Sequence, residues 1–183
     1  MTKKWIALSS QTGSEILNIS RRIEYFPDIL ITNNNLENLN EDLFKYYRDS
    51  DDKLLLKVDV KFKSKHYDEI FSEFKTPIIT LNGWLKIVPP DICDKYKIYN
   101  GHPALISEFP ELKGKDPVQR VWADRTYKKF GSVIHLVTAE VDEGKILMED
   151  SQDFNFDTFE EFDTAQRKLS LELWINFLKK YIK

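Results

Sequence analysis

Apolar positions along this chain follow two rhythms, one of short unbroken runs and one of helical repeats. Trp5-Ile6-Ala7-Leu8 is a short run ending in Ser-Ser-Gln-Thr-Gly-Ser, after which Ile16, Ile19 and Ile23 recur at helical spacing. Strand, turn and helix in that order predict the opening of a doubly wound α/β sheet. Pro27 is expected to stop this helix, and Ile29-Leu30-Ile31 reads as a second buried strand before the loop Asn33-Asn34-Asn35. Residues 36–75 are charged and patterned more weakly. Leu54-Leu55-Leu56 is a candidate third strand, and Tyr67, Ile70, Phe71 and Phe74 share one helical face. Pro77-Ile78-Ile79-Thr80-Leu81 predicts the next strand, its proline tolerated at the strand start. Ile98-Tyr99 is too short to assign.

The stretch from Glu108 to Phe130 is polar and lysine-rich and reads largely as a surface loop, with Asp116-Pro117 starting a short helix inside it. Ser132–Val137 is a clear strand, and Lys145–Met148 is another across a turn containing Gly144. The chain closes with a long helix: Asp157 and Glu160 resemble a capping box, and Phe162, Ala165, Leu169, Leu173, Phe177 and Tyr181 form its buried stripe. The fold expected is α/β and Rossmann-like, a mostly parallel central sheet flanked by helices. With no repeat, low-complexity tract or Gly/Ser linker, residues 1–183 read as one domain.

Composition narrows the function. A chain of 183 residues can bury a sizeable core, since about 150 residues already bury roughly two-thirds of their unfolded surface. The apolar share of 42% makes extended disorder unexpected. The 27 basic and 30 acidic residues leave a net charge of −3, which argues against nucleic acid as a partner. Cys93 is the lone cysteine, so no internal disulfide can form, and a reducing, cytoplasmic setting fits. No apolar run reaches the roughly 20 residues of a membrane span, and the Trp5–Leu8 run is too short for a signal peptide. His66, His102 and His135 form no ligand cluster with cysteine, so no metal is expected.

Candidate chemistry concentrates in two segments. Tyr99-Asn100-Gly101-His102-Pro103 reads as a turn, pinned by Pro103, that presents an amide and an imidazole. His135-Leu136-Val137-Thr138-Ala139-Glu140-Val141-Asp142-Glu143-Gly144 adds a carboxylate in a second turn. Amide, imidazole and carboxylate together can polarise a carbonyl and move a proton. Both segments follow expected strands, and open α/β sheets bind ligands at the carboxyl ends of their strands, so the two can converge.

Asn100, His102, Pro103 and, forty residues beyond the histidine, Asp142 also resemble the signature of the folate-dependent formyltransferases, the glycinamide ribonucleotide formyltransferase superfamily. The resemblance covers most of the chain. It implies transfer of a formyl group from 10-formyltetrahydrofolate to an amine, with Asn100 and a protonated His102 stabilising the oxyanion. Asp142 would keep His102 charged and relay the amine's proton. The leading acceptor is glycinamide ribonucleotide, or another amino-bearing nucleotide or sugar nucleotide. The alternatives are hydrolysis of the same donor and a non-catalytic folate-binding protein. A transfer-RNA formylase fits less well, because that kind of family member appends a basic C-terminal domain.

The segment Leu81–Pro89 is similar to the one that helps hold the pterin ring in the family. That implies folate contacts from Leu85, Lys86, Ile87 and Val88, and from Val137, Ala139, Glu140 and Val141 across the cleft; core packing would explain Leu85 and Ile87 equally well. His135 matches a family histidine beside the site. Ser10, Gln11, Thr12, Gly13 and Ser14 align with the family's phosphate-binding loop. That loop departs from the family pattern: one glycine is replaced, and Glu15 brings a carboxylate to a helix start that would otherwise attract an anion. Arg167 stands where the family carries an acid, and Pro110-Glu111-Leu112 leads into Lys113 and Lys115, which offer another route to anion binding. The donor half reads as kept and the acceptor half as rewritten.

Overall fold

The structure, a computed structural model, describes residues 3–59 and 61–182. Seven strands form one sheet: β1 (Trp5–Ser9), β2 (Ile29–Thr32), β3 (Leu54–Lys57), β4 (Ile78–Leu81), β5 (Ile98–His102), β6 (Lys129–Leu136) and β7 (Ile146–Asp153). Their spatial order is β3-β2-β1-β4-β5-β6-β7. The pairings from β3 through β5 are parallel, and β6 and β7 continue the sheet antiparallel. The sheet is thus mostly parallel and flanked by helices, as the pattern predicts.

Six helices connect or flank these strands: α1 (Ser14–Ile23), α2 (Glu41–Arg48), α3 (Ser64–Phe71), α4 (Pro90–Lys95), α5 (Pro117–Ala123) and α6 (Phe159–Ile182). Successive strand residues face opposite sides, so the apolar strands feed two layers at once. Trp5, Ala7, Leu30 and Tyr99 pack with Ile16, Ile19, Leu43 and Phe177 of α1, α2 and α6. Ile6, Leu8, Ile31, Ile79 and Ile98 pack with Tyr67, Phe71 and Ile92 of α3 and α4. Parallel strands covered on both faces need unbroken apolar runs, which is why those runs were legible.

Helix boundaries depart from expectation where local polar chemistry decides them. α1 ends at Ile23 because Glu24 turns left-handed, three residues before Pro27. α6 is capped by Thr158, not Asp157: Thr158 Oγ1 accepts from the Glu161 N–H and Glu161 Oε2 accepts from the Thr158 N–H, each at 3.2 Å. Asp116 precedes Pro117 but makes no capping bond. α2 was not visible in the charged 36–75 stretch; Asn40 Oδ1 caps it, at 3.1 Å from Asp42 N and 3.3 Å from Leu43 N, and it buries only Leu43 and Tyr47. The Glu108–Phe130 stretch is less of a surface loop than its lysines suggest. A 3-10 turn (Pro110–Leu112) and α5 bury Leu112 and Val121 against Phe130 and Phe162.

Candidate active site

Asn100 and His102 lie within β5 rather than in a turn, because β6 extends the strand by pairing Asn100 with His135 and His102 with Val133. On the opposite face of β5, Tyr99 packs against Phe177 with ring centroids 4.9 Å apart. A Cβ on Gly101 would fall 2.6 Å from Trp174 Nε1, so only glycine lets α6 approach here. Sheet alternation therefore turns Asn100 and His102 together to the other side.

The β5–β6 register sets the first contact, Asn100 Nδ2 to His135 Nε2 at 3.2 Å. His135 Nδ1 lies 2.8 Å from the Leu136 carbonyl, which can only accept. The Nδ1 proton is thus fixed, and Nε2 is left facing the Asn100 amide. Asn100 also lines a cleft.

Asp142 follows β6 on a turn in which it adopts a left-handed backbone, φ 56°. Gly144 lets the turn fold back tightly: a Cβ there would meet the Leu136 carbonyl oxygen at 1.7 Å. The Asp142 carboxylate bridges both imidazoles, with Oδ2 3.2 Å from His102 Nδ1 and Oδ1 3.3 Å from His135 Nε2. The Gly114 N–H also donates to Oδ2, at 2.9 Å. Burial pushes the carboxyl pKa up, but the His135 contact, the His102 charge and the Gly114 bond together carry it below the ordinary value.

His102 is buried, and both of its nitrogens face acceptors: Asp142 at Nδ1 and the Leu112 carbonyl at Nε2, 2.9 Å away. Only a doubly protonated ring satisfies both. Burial nevertheless holds its pKa below the usual imidazole value, against the pull of Asp142 and Leu112. The expected effect of Asp142 is to favour the charged ring. Asp142 acts in that direction, and desolvation outweighs it.

Lys86, Ile87, Val88, Asn100, His135, Val137, Ala139, Glu140, Val141 and Asp142 border one cleft of about 160 Å³. Core packing does not explain Ile87, which is 69% exposed, nor Leu85 at 76%. Leu85 is outside the lining; its N–H donates to Ser10 Oγ at 3.0 Å and ties the two candidate loops together. A second cleft, of about 380 Å³, takes Gln11, Thr12, Gly13 and Ser14 from the first loop, and Gly101 and Pro103 from β5 and its end. Ser10 does not line it. The two clefts share no lining residue; Asn100 of the first and Gly101 of the second are neighbours in β5.

His135 is the site member that sequence reasoning underweighted, because its value lies in its register partner and not in its own neighbours. Lys113, expected to attract anions, is bound to Glu143 at 2.7 Å. Among the described residues no group of three or more metal-ligating side chains comes together, and no helix is long and apolar enough to cross a membrane.

The Asn100 amide, the His135 imidazole and the Asp142 carboxylate line one cleft, with the buried His102 against Asp142, and such groups can polarise a carbonyl and move a proton. The formyl transferase family model matches residues 43–175, and the chain belongs to that family. Over 89 residues, 47% of this chain and 26% of its relative, it is 36% identical to a methionyl-tRNA formyltransferase of Thermotoga neapolitana. The fold matches a phosphoribosylglycinamide formyltransferase of Anaplasma phagocytophilum with a TM-score of 0.81, 21% identity, and coverage of 98% of this chain and 86% of the other. It matches a formyltetrahydrofolate deformylase of Pseudomonas syringae with a TM-score of 0.73, 22% identity, and coverage of 97% and 62%. In the curated sequences it matches, among them the Thermotoga protein, the matching stretch spans less than half of the relative's length. The names of these proteins share a formyl group and differ in what is done with it.

Proposed function

We propose that this chain is a cytoplasmic N-formyltransferase that moves a formyl group from 10-formyltetrahydrofolate to an amine. The observation that carries the reading is the Asp142 carboxylate spanning His102 and His135, with Asn100 beside them. The pterin would lie along Lys86, Ile87, Val88 and Val137–Val141, covering the exposed Ile87 side chain. The amine nitrogen attacks the formyl carbon, a new N–C bond forms, and the bond to the folate nitrogen breaks. Negative charge on the formyl oxygen is met by an Asn100 side-chain N–H and by His102, whose Nε2–H exchanges the Leu112 carbonyl for the oxyanion. The proton lost by the amine passes through the Asp142 network to the leaving folate nitrogen. No step needs a metal.

A second cleft of about 380 Å³ beside the reacting groups favours an acceptor larger than water. The deciding experiment is a screen of metabolite amines with 10-formyltetrahydrofolate, following tetrahydrofolate release. Amine-dependent release supports transfer. Equal release without any amine assigns hydrolysis instead, and no folate binding at all would sink the reading.

A further inference from the structure

The acceptor cleft contains a carboxylate that the rest of the protein is arranged to hold. Trp5 Nε1 donates to Thr80 Oγ1 at 2.8 Å, which obliges the Thr80 hydroxyl to donate onward to Asn82 Oδ1 at 2.7 Å. That fixes the Asn82 amide with its Nδ2 outward, 3.1 Å from Glu15 Oε2. Trp5, Thr80 and Asn82 are buried, so this one-way chain of donors ends on a single acceptor at the cleft wall. Glu15 Oε1 makes no hydrogen bond among the described residues, and Glu15 lines the cleft with Ser9, Gln166, Ser170 and Trp174.

The surroundings do not restore an anion site. Arg167, the cation on the cleft wall, is paired with Asp163 at 2.7 Å and is largely exposed. Lys113 is held by Glu143, and Lys115 lies outside the cleft lining. Gln11 fills the space over Gly83, where the added Cβ would meet its side chain at 2.9 Å. Thr12 and Ser14 hydroxyls bond each other at 3.0 Å. Burial lifts the Glu15 pKa above the ordinary carboxylate value, with Asn82 and Arg167 opposing. A carboxylate so placed gains from a donor brought by ligand and loses from a second anion.

We infer that the acceptor presents a hydrogen-bond-donating group, hydroxyl or ammonium, to Glu15 Oε1 and carries no phosphate at that end. This rests on reading the cleft as the acceptor side of a formyltransferase. Glu15 then serves as a specificity residue, and the loop at Gln11–Ser14 closes over a neutral or cationic tail.

The test is calorimetric and needs no turnover. Glycinamide ribonucleoside and its 5′-phosphate share the amine and differ in the phosphate; both are titrated into the wild type, Glu15→Gln and Glu15→Ser. The wild type should bind the ribonucleoside at least as tightly as the ribonucleotide, and both variants should shift that ratio about tenfold or more towards the ribonucleotide. A ratio unchanged by either variant, including no measurable binding of either compound to any form, overturns the inference. Putrescine as a further probe separates ammonium from hydroxyl: whichever probe loses more affinity in Glu15→Gln carries the group that Glu15 reads. Tetrahydrofolate titrated in parallel keeps the two readings apart. Folate binding with an unchanged ratio removes this inference alone, and a shifted ratio without folate binding removes the formyl-transfer reading alone.

Discussion

The two clefts that Asn100 and Gly101 border, one each, are built in opposite ways. At the first cleft the candidate groups hold one another: Asn100 contacts His135, His135 and the buried His102 contact Asp142, and Asp142 accepts from the Gly114 backbone N–H. In the acceptor cleft a buried chain of donors ends on Glu15, one of whose oxygens is left to the ligand. A closed network fixes geometry and tolerates little change; an open one leaves a group free to choose partners. The difference separates how the reaction is promoted from what is formylated.

The strongest way to break this comparison is through the closed network. Asn100→Ala and His102→Ala should each lower turnover about 100- to 1,000-fold, measured as amine-dependent tetrahydrofolate release, because a lost oxyanion donor commonly costs about 3–4 kcal/mol. Folate affinity in both should move far less, since these contacts matter chiefly in the transition state. Turnover within severalfold of wild type would remove both residues from the mechanism.

Gly101→Ala probes the wall of the second cleft. The new methyl would meet Trp174 Nε1 at 2.6 Å, and overpacking of this kind costs about 1–3 kcal/mol. Chemical denaturation should register that loss; an unchanged midpoint would mean that α6 yields freely, and that Trp174 does not position β5.

Smaller effects sharpen the donor side. Ile87→Asp should weaken tetrahydrofolate binding about tenfold, as an exposed apolar side chain covered by ligand is worth about 1–2 kcal/mol. Equal affinity in calorimetry would place the pterin elsewhere.

The smallest effect is pH-dependent. His102 has its folded pKa below 6.5, so the unfolded chain takes up the proton first. Its contribution is therefore constant above that value and becomes destabilising as pH falls from 6.5 towards the folded pKa. Asp142, also depressed, adds stability above 3.8 that is lost only at lower pH. Denaturant midpoints for wild type and His102→Asn should converge between pH 7.5 and 5.5. A gap that widens on acidification would mean that His102 is protonated more readily folded than unfolded.

Much of the frame is legible in the residues themselves. Trp5–Leu8, Ile29–Ile31 and Ile78–Leu81 are apolar runs because strands covered on both faces leave no polar side to show. Leu169, Leu173 and Phe177 mark the inner face of α6 by their spacing. Asn100, His102 and Asp142 stand out because their residue types and spacing match a family pattern. α2 and α4 were hidden, since a short helix that buries few residues leaves little periodic signal.

The sequence by itself determined the strand order of appearance, the apolar faces and the identity of the groups that can do carbonyl chemistry. Tertiary structure decided what those groups do to one another. Asn100 and His102 are strand residues because β6 pairs with β5. His135 joins the site through that register, and burial, not proximity to Asp142 alone, sets the His102 pKa. Glu15 reads in sequence as a charge at a helix start; in the fold it terminates a buried hydrogen-bond chain from Trp5. Spacing along a chain carries residue type and face, whereas desolvation and hydrogen-bond polarity depend on which distant residues are brought alongside.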